Sequence, residues 1–248
     1  MSSPQPEASP PKTALKARAL RPRDAATLII VDDTSGEPRV LLGRRRPDLV
    51  FMPGRYVFPG GRVDPADRRI RPGGDLSAGE IRKLQVEMKG NASEARARAL
   101  ALAAVRETFE EAGLLIGRPA SGAAPKVPAW RDFYAQGYEP ALERLTFLAR
   151  AITPPGRPRR YDTRFFCVRA DAIAHKIKFD EGELSDLEWH SIAQARNLHL
   201  PNITRVVIED LGERIAAGAL ESSDLPVPFY HRANGNFRRD LIRADAQS

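Results

Sequence analysis

Residues 93–113, SEARARALALAAVRETFEEAG, carry the reading on which the fold depends. The run is rich in strong helix formers, and nothing in it breaks a helix before Gly113, which supplies a left-handed C-terminal cap. The pattern predicts one helix that starts near Asn91 or Ser93 and stops at Gly113. On a wheel of about 100° per residue with Glu107 at zero, Glu110 falls near 300° and Glu111 near 40°, so three carboxylates share one stripe. Val105, Phe109 and Ala112 fall on the opposite side and are expected to face the core.

Like charges at these spacings repel by a few tenths of a kcal/mol per pair, and the last turns of a helix disfavour anions. Stability alone would place lysine there. A divalent cation resolves the conflict, because converging carboxylates suit a hard, oxygen-seeking ion such as Mg2+. Arg106, beside the stripe, can hold a carboxylate through paired hydrogen bonds. Helix geometry by itself leaves a solvated acidic face and a metal site equally open.

Toward the N-terminus, AATLIIV from Ala25 reads as a buried strand, and Asp33, Ser35 and Gly36 turn it into a second strand, Arg39 to Gly43. The stretch FMPGRYVFPGGRVDPAD, residues 51–67, holds prolines and paired glycines that exclude helix and imply a short strand, Tyr56 to Phe58, running into a tight loop. Residues 75–89 form a compact helical unit. Ser77 and Glu80 there stand at capping-box spacing, with Leu76 and Ile81 at the staple positions. Toward the C-terminus, Trp130 to Tyr134 reads as helical. Leu145 to Thr153, Arg164 to Arg169 and a segment ending at Trp189 read as strands, and Pro201 to Ala217 as an amphipathic helix. Alternating strands and helices point to an α/β sandwich. The expected division is a basic tail over 1–24, one domain over 25–220 with an insertion at about 68–98, and an extension over 221–248.

Composition limits the function. The chain has 248 residues, 39 Lys plus Arg against 32 Asp plus Glu, and a net charge of +7. Such a balance raises nucleic acid as a partner, but five of the seven charges lie in the two terminal segments, so nucleic acid ranks last. Cys167 is the single cysteine, and the four histidines show no ligand spacing, so neither an intrachain disulfide nor a Cys/His zinc site is expected. A reducing cytoplasm fits that usage. The longest apolar run, Ala99 to Val105, is seven residues, far below the ~20 that cross a bilayer. Nine arginines against three aspartates over residues 39–71 suit a small polyanion, with a solvated basic face as the alternative.

The loop GRVDPAD, Gly61 to Asp67, and the helix end RETFEEAGL, Arg106 to Leu114, together resemble the signature of Nudix hydrolases. Arg106, Glu107, Glu110, Glu111 and Gly113 match the fixed positions of the second half, while Thr108 stands where an aliphatic residue is usual. The first half departs twice. Asp67 replaces a glutamate, and 38 residues instead of seven separate it from Arg106, an insertion of 31. With FMPGRYVFPGG before it and RYDTRFF after it, the interrupted signature resembles the coenzyme A diphosphatase-like branch.

The resemblance implies a Nudix-type α/β/α sandwich with a mixed β-sheet. It also implies a Mg2+-dependent pyrophosphohydrolase, Mn2+ being the alternative ion, acting on a small-molecule diphosphate. The favoured substrate is a nucleoside diphosphate linked to another moiety, coenzyme A or acyl-CoA. Glu107, Glu110, Glu111 and Asp67 are the metal ligands so implied, with Arg106 beside them. The general base is Glu107 or Glu183, and a solvated loop acid is the alternative reading of Glu183. Gly60 and Gly61 let backbone approach metal or phosphate, and Arg44 and Arg164 are the candidate substrate contacts. Two further readings stay open: a non-catalytic Nudix-like nucleotide-binding regulatory module, against which the intact glutamates argue, and an RNA-directed pyrophosphohydrolase. The sequence is silent on oligomeric state.

Overall fold

A computed structural model describes residues 20–48, 53–178 and 184–244. In chain order its strands are β1 (Arg23–Asp32), β2 (Arg39–Arg45), β3 (Tyr56–Val57), β4 (Gly60–Arg62), β5 (Leu114–Pro119), β6 (Tyr138–Pro140), β7 (Thr146–Ile152), β8 (Tyr161–Arg169), β9 (Ile173–Lys176), β10 (Leu184–Ser191), β11 (Val227–Ala233) and β12 (Asn236–Ile242). Its α-helices are α1 (Ala78–Gln85), α2 (Glu94–Ala112), α3 (Arg131–Tyr134), α4 (Ile192–Arg196) and α5 (Asn202–Ala216).

The main sheet runs β10-β2-β1-β8-β7-β11-β12, with β3 added to β2 and β4 added to β1. It is mixed: β1 with β8 and β7 with β11 are parallel, and the other pairs antiparallel. A smaller sheet, β6-β5-β9, stands apart. Because successive side chains of a strand point to opposite faces, β1 serves two cores. Ala26, Leu28 and Ile30 join α2 in one, and Ile29 and Val31 join Val207, Ile208 and Leu211 of α5 in the other. The result is the expected α/β/α sandwich.

Helix α2 begins and ends as its residues dictate. Ser93 Oγ accepts the Arg96 amide at 3.3 Å, and Gly113 closes the helix at φ 66°. The helix is not two-faced, however. Its small alanines let the sheet and the insertion approach from different sides, so Ala97, Ala99, Ala101 and Ala103 are all fully buried.

In α1, Ser77 caps the Glu80 amide at 3.2 Å, but the Glu80 side chain does not complete a capping box. It is buried instead in an ion pair with Lys83 at 3.1 Å. The segment set apart as an extension is part of the sheet: β11 lies parallel to β7, and β12 returns beside it through Asn234 and Gly235. Both turn residues have positive φ, 52° and 80°, as a two-residue hairpin turn requires. Among the described residues no helix is long and apolar enough to cross a membrane.

Candidate active site

The site is assembled where the last turns of α2 meet β4 and the turn that follows it. β4 pairs with the first half of β1, Thr27 opposite Gly60 and Ala25 opposite Arg62, and neither Gly60 nor Gly61 has room for a side chain. A Cβ on Gly60 would lie 2.5 Å from the Ala26 carbonyl oxygen, and one on Gly61 would lie 2.4 Å from the Glu107 carboxyl carbon. Backbone therefore abuts carboxylate directly, and the Gly60 amide donates to Glu111 Oε2 at 2.9 Å.

Beyond β4, Asp64 caps a single 3-10 turn, Pro65–Arg69, by accepting the Ala66 amide at 2.7 Å. Asp67 answers by accepting the Asp64 amide at 2.9 Å. The same Asp67 carboxylate, with no solvent exposure, accepts Arg106 Nε at 2.9 Å, Arg106 Nη2 at 3.2 Å and Trp130 Nε1 at 3.0 Å. Four N–H groups thus occupy its two oxygens. Asp67 has no face left for a metal, which corrects its expected role as a ligand; it is the anchor of Arg106.

Arg106 spends its remaining donors on the site. Nη2 donates to the Arg62 carbonyl at 2.9 Å, and Nη1 to Glu107 Oε1 at 3.0 Å and Glu110 Oε2 at 2.8 Å. With the Asp67 bonds, all five guanidinium hydrogens are engaged. Burial works against the charge of Arg106, but the hydrogen bonds and charges of Asp67, Glu107 and Glu110 outweigh it and hold the guanidinium protonated. Burial pushes Glu107 above the usual carboxylate range. Arg106 opposes that rise, and the neighbouring Glu110 adds to it. Glu110 is raised in the same direction, again first by burial, although its side chain is 43% exposed.

Glu107 and Glu111 form one wall of a hollow of about 430 Å³. Gly60 and Gly61 line it too, and Arg45, Arg62 and Arg159 stand around it, with Thr27, Thr163 and Thr204 as neutral donors. Thr108, the departure from the usual aliphatic residue, is buried and satisfies its hydroxyl on the Ala104 carbonyl at 2.7 Å, so the core tolerates it.

The donor set fits a divalent cation. Among the described residues no three acidic or imidazole side chains converge into a ready-made cage. That suits Mg2+, which is usually held by one or two carboxylates together with water and substrate phosphates. Glu107 and Glu111 supply such carboxylates on the wall of the hollow, and Glu110 stands beside them on Arg106.

The remaining candidates divide. Arg44 does not line the hollow; on β2 it alternates with Arg45, whose side chain does. Arg164 is 1% exposed and lies inside β8. It pairs with Asp162 at 3.0 Å and Asp24 at 3.2 Å, so it braces the strands and is not a substrate contact. Glu183 lies outside the described residues. Arg62 and Arg159 carried no individual signal in the sequence. Arg45 was one of three consecutive arginines, and the period of two along β2 is what separates it from Arg44.

A family model described as the NUDIX domain matches residues 21–211. The chain belongs to the Nudix family. It is 29% identical over 201 residues to acyl-coenzyme A diphosphatase NUDT19 of Gallus gallus, a match that takes in 58% of this chain and 52% of that protein. Against the Homo sapiens protein of the same name it is 28% identical over 206 residues, covering 63% and 54%. The chain thus spans about half the length of these curated relatives. Among solved structures, a NUDIX hydrolase from Alicyclobacillus acidocaldarius superimposes with a TM-score of 0.58 at 28% identity, over 76% of this chain and 90% of that one.

Proposed function

We propose that the protein hydrolyses the phosphoanhydride of a nucleoside diphosphate joined to a further group, with Mg2+ or Mn2+, and that coenzyme A or an acyl-CoA is the substrate. One observation carries the reading: Glu107 and Glu111 face a hollow whose other walls bear Arg45, Arg62 and Arg159. Acid beside arginine is the charge arrangement that a metal-bound diphosphate requires. The activity named for the Gallus gallus and Homo sapiens relatives, acyl-coenzyme A diphosphatase, supports the choice of coenzyme A.

Glu107, Glu110 and Glu111 would hold the metal. When bound, Mg2+ neutralises phosphate charge and lowers the pKa of attacking water. Arg106 fixes the Glu107 and Glu110 carboxylates, and the Gly60 amide fixes Glu111. Arg45, Arg62 and Arg159 bind and orient the phosphoryl oxygens through charge-assisted hydrogen bonds. Glu107, already biased by burial toward its protonated form, is the group placed to accept the proton of the attacking water. Glu183 is the alternative base, and Glu183→Gln distinguishes the two.

The test is incubation of purified protein and Mg2+ with coenzyme A, an acyl-CoA, ADP-ribose, NADH and dinucleoside polyphosphates. Cleavage of the first two is expected. No cleavage of any of them, or undiminished rates in Glu110→Gln and Glu111→Gln, overturns the reading.

A further inference from the structure

A second hollow, of about 470 Å³, adjoins the first and is walled by Arg21, Arg23, Arg62, Arg159 and Arg160, with Tyr161 at its base. Arg62, Arg159 and Tyr161 line both hollows. Among the described residues no carboxylate lines the second one. Among the described residues, none lies within ion-pair distance of Arg21, Arg23, Arg62 or Arg159, although most buried arginines of this chain have such a partner.

The concentration of positive charge is built and not incidental. Arg160 donates to the Thr153 carbonyl at 3.0 Å and to the Leu20 carbonyl at 2.5 Å, and the Arg23 amide donates to the Arg160 carbonyl at 3.0 Å. These bonds fasten the segment bearing Arg21 and Arg23 against the start of β8. Like-charged guanidiniums gathered in this way repel, so an anion among them relieves a standing electrostatic penalty.

Placement along the sheet says where that anion belongs. β1 and β8 run parallel with Arg23 opposite Tyr161, Ala25 opposite Thr163 and Thr27 opposite Phe165. Residues two apart share a face. Arg23 therefore continues the floor formed by Ala25 and Thr27, the latter paired with Gly60 at the carboxylates. Four residues of strand separate Thr27 from Arg23, about 13 Å at about 3.3 Å per residue. A bare diphosphate is too short to reach both ends; a diphosphate continuing into a phosphorylated nucleoside is long enough.

We propose that the arginine-walled hollow is a subsite for a phosphomonoester carried on the nucleoside of the same substrate whose diphosphate lies at Glu107 and Glu111. The inference rests on the function proposed above and narrows it to substrates with that extra phosphate. Coenzyme A and dephospho-coenzyme A differ by this one group, so they isolate the subsite.

Binding of the two to the full chain, measured by calorimetry with a chelator present to prevent turnover, decides the matter. Coenzyme A is expected to bind at least about tenfold more tightly, through charge-assisted arginine bonds. The advantage should shrink toward parity in R21Q/R23Q and weaken as salt rises. Both arginines are exposed, and Arg21→Gln alone serves as the milder variant. Equal affinities in the wild type, or an advantage unchanged in both variants, overturns the subsite. So does an RNA oligonucleotide that displaces coenzyme A from the arginines at equal phosphate concentration. Because binding is read without turnover, the outcome is separable from the hydrolysis test: cleavage of coenzyme A with equal binding of the two ligands removes the subsite alone.

Discussion

Arg106 and Asp67 lie 39 positions apart and meet in a buried pair, Nε to Oδ1 at 2.9 Å and Nη2 to Oδ2 at 3.2 Å. The pair spans the insertion between them, so the loop and α2 touch as they would if they were consecutive. Asp67 reaches Arg106, and Arg106 reaches the glutamates.

Asp67→Asn keeps the shape and removes the charge, leaving the Arg106 guanidinium buried against fewer acceptors. Breaking one side of a buried ion pair removes about 3–5 kcal/mol, so a shift of that order is expected in urea unfolding. Activity should fall as well, because Glu107 and Glu110 lose their fixed donor. An anchoring role predicts a lower kcat with a nearly unchanged Mg2+ half-saturation. A rise of about tenfold or more in the Mg2+ requirement would make Asp67 a ligand after all.

Glu107→Gln and Glu111→Gln each remove a carboxylate from the hollow. If the carboxylates hold a metal worth several kcal/mol of transition-state stabilisation, each rate should fall at least about 10²-fold. Stability should not fall with it in Glu107→Gln, since burial disfavours the Glu107 charge more than its pairing with Arg106 favours it, and the repulsion from Glu110 is lost as well. EDTA should abolish activity, and added Mg2+ should restore it. Rates that survive both substitutions and chelation rule out the metal-dependent mechanism.

The sequence made some of this legible and hid the rest for identifiable reasons. The ends of α2 were readable because Ser93 and Gly113 are local signals. The burial of that helix on several sides was not, because it is covered both by α1 of the insertion and by β1, far earlier in the chain, which meet it only in the folded protein. The hairpin β11–β12 carries a local signal in the turn pair Asn234-Gly235, although it falls in the segment expected as an extension. The bracing role of Arg164 was hidden because β8 begins at Tyr161, so that its partner Asp162 shares the strand, and because its other partner, Asp24, is 140 positions away. Alternation along β8 puts Thr163 and Phe165 into the hollow and turns Asp162 and Arg164 the other way. The glutamate stripe was legible as a pattern. The role of Asp67 was not, because Trp130 and Arg106, which occupy it, are remote in sequence.

Gly60 and Gly61 should respond differently to alanine. The Gly61 Cβ would meet the end of a side chain, the Glu107 carboxylate, which can swing aside. Gly61→Ala should therefore cost little stability, within about 1–2 kcal/mol, but displace the Glu107 carboxylate and reduce activity. The Gly60 Cβ would meet backbone, the Ala26 carbonyl and the Thr27 Cα at 2.6 Å, which cannot move without breaking the β1–β4 pairing. Gly60→Ala should lose more stability than Gly61→Ala in thermal melts. The reverse order would mean that the glycine pair is not packed as described.

Glu80 and Lys83, each 2% exposed, place a charged pair in the insertion, and Lys83 Nζ also leans on the Leu225 carbonyl at 3.4 Å. Burial raises the Glu80 carboxyl and lowers the Lys83 ammonium, each opposed by the partner's charge. Lys83→Met strands the carboxylate and should lose about 3–5 kcal/mol at neutral pH, whereas E80L/K83M should lose nothing or gain about 1–4 kcal/mol. The pH dependence has a definite sign. A carboxyl raised in the folded state contributes stability that is whole below its unfolded value, near 4.3, and that is lost as pH rises through its folded value. The deficit of Lys83→Met relative to wild type should therefore shrink on acidification, as Glu80 takes up a proton and the wild-type lysine loses its counter-charge. Urea unfolding at several pH values measures this directly. A deficit that grows toward low pH would show that the pair does not behave as a buried one.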